Sequence, residues 1–101
     1  MHVASANGHT EIVRMLLEVE SIEINIHNEG GNTPLHWAAL NGKEEICNLL
    51  IKGSKSGKKA NPNAKNEFNR QPIEEALQAG HTSIAENLAQ ISKLDDEKIY
   101  S

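Results

Sequence analysis

Gly31-Asn32-Thr33-Pro34-Leu35-His36-Trp37-Ala38-Ala39-Leu40-Asn41-Gly42 is the stretch on which the reading of this chain turns. Thr33 can cap a helix. Pro34 fits that helix's first turn, where its missing N–H would be unpaired anyway, and Gly42 can take the left-handed conformation that ends it. The same punctuation recurs on both sides. Ala4-Ser5-Ala6-Asn7-Gly8-His9-Thr10-Glu11-Ile12, Ala38-Ala39-Leu40-Asn41-Gly42-Lys43-Glu44-Glu45-Ile46 and Ala76-Leu77-Gln78-Ala79-Gly80-His81-Thr82-Ser83-Ile84 superpose without a gap. Gly8, Gly42 and Gly80 are 34 and 38 residues apart, the same two intervals separate Ile12, Ile46 and Ile84, and Pro34 and Pro72 repeat at 38. A spacing shared by several residue types belongs to a structural unit. Each unit reads as a short helix, a glycine turn and a longer amphipathic helix. Ile12, Val13, Leu16 and Leu17, then Ile46, Leu49 and Leu50, then Ile84, Ala85, Leu88 and Ala89 fall at helical spacing and predict one buried stripe.

Composition agrees with stacked helices. The 101 residues suffice for one domain. Apolar residues make up 38% and aromatics only 3%, so the interior must be assembled from small aliphatic side chains over many short contacts. A net charge of −4 lacks the Lys/Arg-rich face that a phosphate backbone needs, and argues against nucleic acid as partner. The single cysteine, Cys47, cannot form an internal disulfide, and neither a leader-like segment nor an apolar run of about 18 residues is present. The expected setting is the cytosol or nucleus, away from membranes.

The Gly31 to Gly42 stretch resembles the ankyrin signature of Gly, Thr-Pro-Leu-His, Ala-Ala and Gly at fixed offsets. The resemblance covers nearly the whole chain. It implies an all-α solenoid of about three stacked helix-turn-helix units, with β-hairpin loops near Ile26 to Asn32 and Ala64 to Arg70. The units fall at about residues 1–27, 28–65 and 66–92, with a C-terminal tail at 93–101 that Leu94 or Ile99 could tie down. Ile24-Asn25 and Pro62-Asn63 sit where the family has its Val-Asn pair. The first unit opens with Met1-His2 at the Leu-His of the signature, so it is expected to be incomplete and the chain to begin within a repeat. An insertion over residues 53–60, polar and rich in Gly, Ser and Lys, reads as a flexible surface loop. In the third unit Gln71-Pro72-Ile73-Glu74 replaces Thr-Pro-Leu-His, and Asn69 stands for the hairpin glycine, a substitution that tolerates positive φ.

Residues able to carry chemistry have structural explanations within this pattern. His2 and His36 occupy one slot in successive units, as His9 and His81 do another, so the histidines follow the repeat and not a ligand cluster; no metal or cofactor is expected. The resemblance gives the Leu-His histidine a hydrogen bond between neighbouring loops. Cys47 lies on an apolar helix stripe, where core filling suits it better than nucleophilic attack. Glu44-Glu45 and Glu74-Glu75 are adjacent on helices, point about 100° apart and read as solvated faces. Trp37 is assigned to the core between repeats. No phosphate-cradling loop or nucleophile elbow is present, and the chain reads as a non-enzyme with no small-molecule substrate.

The ankyrin resemblance implies a concave surface lined by hairpin tips and first helices, on which a partner protein docks. Its variable positions fall here on Ala6, Asn7, His27, Glu29, Asn32, Leu40, Asn41, Lys65, Glu67, Phe68, Arg70 and Gln78. Gly8, Gly31, Thr33, Pro34, His36, Gly42, Pro72 and Gly80 have structural roles. Glu29 and Glu67 are equivalent in successive hairpins and should stand in one row beside Phe68, a pattern suited to a basic protein segment. The Asn-Gly-His, His-Trp-Ala, Leu-Asn-Gly-Lys and Asn66-Glu67-Phe68 words are also similar to those of fungal ankyrin chaperones that escort a basic small-subunit ribosomal protein. Another implication is an ankyrin module of a larger regulatory protein or enzyme.

Overall fold

A computed structural model describes residues 1–91 in full and residues 92–100 as backbone. Its regular elements are helices: α1 (His2–Ala6), α2 (Thr10–Leu17), α3 (Pro34–Leu40), α4 (Glu44–Lys52), α5 (Pro72–Gln78) and α6 (Thr82–Tyr100). They form two rows. In one, α1 packs on α3 and α3 on α5; in the other, α2 packs on α4 and α4 on α6, while each short helix also packs on the longer one that follows it. The expected docking of the tail by Leu94 or Ile99 lies outside the described residues.

Local chemistry explains where the helices begin and end. Thr33 takes an extended conformation and its hydroxyl accepts from the His36 N–H, while the His36 ring accepts from the Thr33 N–H in return; Pro34 follows inside the first turn. Ahead of Pro72 the Gln71 N–H donates to the Glu74 carboxylate at 3.4 Å, and the Glu74 N–H donates to the Gln71 backbone carbonyl in place of a side-chain cap. Gly42 ends the short helix at φ +71°, a conformation that favours glycine, and a Cβ there would lie 2.7 Å from the His81 ring, which would have to move aside. Gly8 and Gly80 share the left-handed conformation, and so does Asn69 at φ 62°.

The core lies between the two rows. Val13, Leu35, Ala38, Ala39, Ile46, Cys47, Leu50, Ala76, Ile84 and Leu88 are buried, and the alanines let the short helices approach closely. The expected stripe breaks at two places. Ile46 and Ile84 are 1% and 3% exposed, whereas Ile12 in the same slot is 49% exposed. The neighbours explain the difference: α2 packs over α4 and α4 over α6, whereas among the described residues no helix precedes α2 in that row. Ala89, on the outer side of the third unit, is exposed for the mirror reason.

The segment at 53–60 is a surface loop closed into a turn. The Ser54 N–H donates to Lys58 O at 2.7 Å, the Lys58 N–H to Ser54 Oγ at 3.2 Å, and the Gly57 N–H to Ser54 O at 3.0 Å. The Lys55 N–H then donates to Leu17 O at 2.9 Å, which pins the turn to the end of α2. Satisfied backbone groups hold a polar turn in place that composition alone describes as free.

Candidate functional site

The loops ahead of α3 and α5 are built on two asparagines that repeat at an interval of 38. Asn28 Oδ1 accepts the Gly30 and Asn32 N–H groups at 2.9 and 3.0 Å, and Asn66 Oδ1 accepts the Phe68 and Arg70 N–H groups at 3.0 Å each. A backbone bond closes each loop, from Asn28 N to Asn32 O and from Asn66 N to Arg70 O. They are hairpin-like turns, and no strand is formed among the described residues. Sequence reading left the two asparagines without this role, although their interval marks them as part of the repeat.

Successive loops are tied together. The Glu67 N–H donates to Gly30 O at 2.9 Å, and a Cβ on Gly31 (φ +76°) would lie 2.9 Å from Glu67 N, so the loops touch through backbone. His2 Nε2 lies 2.7 Å from Asn32 O, and His36 Nε2 lies 2.9 Å from Arg70 O. His36 Nδ1 accepts from the Thr33 N–H, so its Nε2 carries the proton and donates to Arg70 O. Burial pushes the His36 pKa below its usual 6.5, outweighing the opposing pull of the Arg70 carbonyl and of Glu75.

These ties set out three grooves. Glu29 and Glu67 edge the first together with His27 and Lys65, in an open volume of about 580 Å³ between the loops. Asn32, Leu40, Phe68 and Arg70 line the second, a cavity of about 190 Å³ between α3, α5 and the third unit's loop. Asn41 lines the third, of about 290 Å³, with Ala6, Asn7, His2 and Val3. Gln78 lies outside all three, although its Oε1 accepts from Arg70 Nη1 at 3.0 Å. The positions transferred from the family thus divide between loop tips and first helices. Phe68 is 66% exposed, with the Arg70 guanidinium 5.5 Å from its ring centroid.

Two residues behave differently from their sequence assignments. Trp37 is half-buried and lines both the second and third grooves, and its Nε1 is buried with no hydrogen-bond partner among the described residues. Glu75 occupies the slot of Val3 and Trp37, and its carboxylate is 8% exposed, where a solvated face was expected. Asn66 Nδ2 donates to Glu75 Oε1 at 3.1 Å, and Arg70 Nη1 stands 3.8 Å away. The loop folds back over α5 and covers most of this side chain, with Oε1 taken up inside the fold and Oε2 left to solvent.

Elsewhere the chemistry is quiet. Cys47 is buried and its thiol pKa is pushed up to about 12 by desolvation, with Glu44 adding to the effect. Among the described residues no group of three or more His, Cys, Asp or Glu side chains is placed to hold a metal ion, and no helix is long and apolar enough to cross a membrane.

The repeated latch between loops, the paired short and long helices and the signature around Pro34 define a repeat solenoid. The chain belongs to the ankyrin-repeat family, whose model matches three copies over residues 1–98. The chaperone Yar1, in the crystal structure of yeast ribosomal protein Rps3 in complex with it, is a structural neighbour at TM-score 0.75 and 36% identity, over 85% of this chain and 61% of that one. Mouse protein phosphatase 1 regulatory subunit 12A is 45% identical over 51 residues, half of this chain and 5% of its own length. Palmitoyltransferase akr1 of Schizosaccharomyces pombe is 41% identical over 51 residues, half of this chain and 8% of its own length. The chain therefore spans a small part of these curated relatives. Ankyrin repeats are protein-interaction modules, and proteins are their partners.

Proposed function

We propose that this chain holds a basic segment of a partner protein on the face formed by its loops and short helices, and contributes no chemistry of its own. The observation that carries the reading is the placement of Glu29 and Glu67 on the rim of one groove, with exposed Phe68 on the same loop as Glu67. The carboxylates steer a cationic segment into register, and Phe68 anchors it. Exposed ion pairs are worth only about 0–1 kcal/mol each, so they act mainly on association rate. Burying Phe68 stabilises the complex by about 1.5–3 kcal/mol and acts on dissociation. The proposed setting is cytoplasmic or nuclear.

A second reading, escort of a basic ribosomal-type protein, is favoured by the likeness to Yar1 in its complex with Rps3. A third, a docking module within a larger regulatory protein or enzyme, is favoured by the short share of the phosphatase subunit and the palmitoyltransferase that the chain spans. Binding kinetics against Rps3, and against basic proteins captured from lysate, test the common core of these readings at two salt concentrations. Phe68→Ala should raise the dissociation rate, and the double variant Glu29→Lys, Glu67→Lys should slow association most at low salt. Binding untouched by both changes but lost on removing residues 54–58 would move the site to the lysine-rich turn.

A further inference from the structure

Glu75 is a carboxylate in an apolar slot. The equivalent residues are Val3 and Trp37, and the third unit alone places a charge there. Burial of a carboxylate is costly unless a cation and hydrogen bonds compensate it. Here the fold compensates one oxygen and leaves the other to solvent. Both contacts fall on one oxygen, Oε1: the Asn66 amide at 3.1 Å and Arg70 Nη1 at 3.8 Å, the latter beyond hydrogen-bond reach. Arg70 spends its short bond on Gln78 at 3.0 Å and lays its guanidinium over Phe68. Oε2 has no hydrogen bond among the described residues.

In front of this carboxylate lies the cavity of about 190 Å³, lined by the apolar Trp37, Leu40 and Phe68 and by the polar Asn32, His36, Asn66 and Arg70. A passage with two aromatic rings and a leucine in its lining, ending at a carboxylate oxygen that the fold leaves without a partner, matches a long aliphatic stem with a cationic tip. We propose that this cavity is a subsite for a lysine side chain of the docked segment, its methylenes against Trp37 and Phe68 and its ammonium on Glu75. Lysine fits better than arginine. A guanidinium gains most from gripping both carboxylate oxygens in one plane. Asn66 already occupies Oε1, and Arg70 fills the guanidinium position on that side; a compact ammonium needs only the remaining oxygen. The proposal rests on the reading of this face as a dock for a basic segment, and specifies which side chain it selects.

Trp37 is the only tryptophan, so its indole N–H gives a single resonance at the wall of the cavity. The test titrates the isotopically labelled full chain with tetralysine, tetra-arginine and tetra(acetyl-lysine) peptides. Tetralysine should move the indole signal saturably, tetra-arginine should need at least tenfold higher concentration, and the acetylated peptide should leave it in place. Glu75→Gln should weaken the tetralysine response at least tenfold, whereas Glu11→Gln, at a carboxylate far more exposed than Glu75, should not change it. An unmoved indole with tetralysine, an equal response to arginine or acetyl-lysine, or a Glu75→Gln response like the parent's overturns the subsite. If Glu75→Gln does not fold, the three peptides on the unaltered chain decide. Partner binding that responds to Phe68→Ala and to the loop charge reversals, with no indole movement by tetralysine, overturns the subsite and leaves the docking reading standing. Tetralysine binding in a chain that takes no basic protein overturns the docking reading instead.

Discussion

His36 ties three parts of the molecule through one neutral ring. Its Nδ1 accepts from the Thr33 N–H at the start of α3, and its Nε2 donates to Arg70 O in the next loop. A second proton would turn Nδ1 from acceptor to donor and face it against an N–H. The sign of the pH effect follows from the lowered pKa. The unfolded chain takes up this proton near 6.5 and the folded chain only at lower pH, so the unfolded state binds more protons between the two values. Stability is full above 6.5 and falls as pH drops from 6.5 through the folded value, with a slope of at most about 1.4 kcal/mol per unit from this group. Denaturant melts between pH 7.5 and 5 should show the loss, and His36→Gln should flatten it while lowering stability at pH 7.5. Gly42 supports a second prediction at this scale. Valine there must adopt positive φ and press on the His81 ring, so Gly42→Val should cost at least about 1–3 kcal/mol, read from the shift of the urea midpoint.

At the scale of elements, the third unit's loop depends on Asn66 more than on any exposed residue it displays. Its one side chain receives two backbone N–H groups and donates to Asn32 and Glu75. Asn66→Ala should cost at least about 2–3 kcal/mol, since buried donors and acceptors lose their partners. Hydrogen exchange of the Phe68 and Arg70 amides should speed up more than that of α3. This loop also shows what sequence can and cannot convey. The helices, their caps and the left-handed turns were legible because each depends on residues within a few positions: Thr33, Pro34 and Gly42 state their roles locally. The burial of Glu75 was not legible, because it arises when a loop nine residues upstream folds back over α5. The anchor of the 53–60 loop, Leu17 O, was not legible for a similar reason, since it lies in another unit. For the candidate site, the repeat interval made Glu29 and Glu67 equivalent and the structure puts both on one groove, but the pattern assigned Trp37 to the core because its slot is apolar, whereas it lines two grooves.

Across the whole molecule, position in the stack overrides position in the repeat. Ile12, Ile46 and Ile84 share a slot, yet only the last two have a unit packed over them. Ile46→Ala should therefore cost about 2–5 kcal/mol and Ile12→Ala much less, although the sequence context of the two is the same. Equal shifts in the thermal midpoints would show that Ile12 is covered in solution. The same logic orders the units. The central one has neighbours on both sides, and its α3 and α4 amides should exchange more slowly than those of α1 and α2, as nearest-neighbour coupling in a linear array requires.

The histidine latch gives the stack a direction. His2 fastens the loop of the second unit and His36 fastens that of the third, each a donor reaching forward to a carbonyl. Each latch couples the start of one unit's short helix to the following unit's loop, so losing His36 releases that loop and its own Thr33 cap together. In the third unit the slot holds Glu74, whose carboxylate accepts the Gln71 N–H at 3.4 Å and, once ionised, has no proton to offer a carbonyl. The relay written into this chain thus passes its message twice and then falls silent, and any loop set beyond the third unit would have to be fastened by different chemistry.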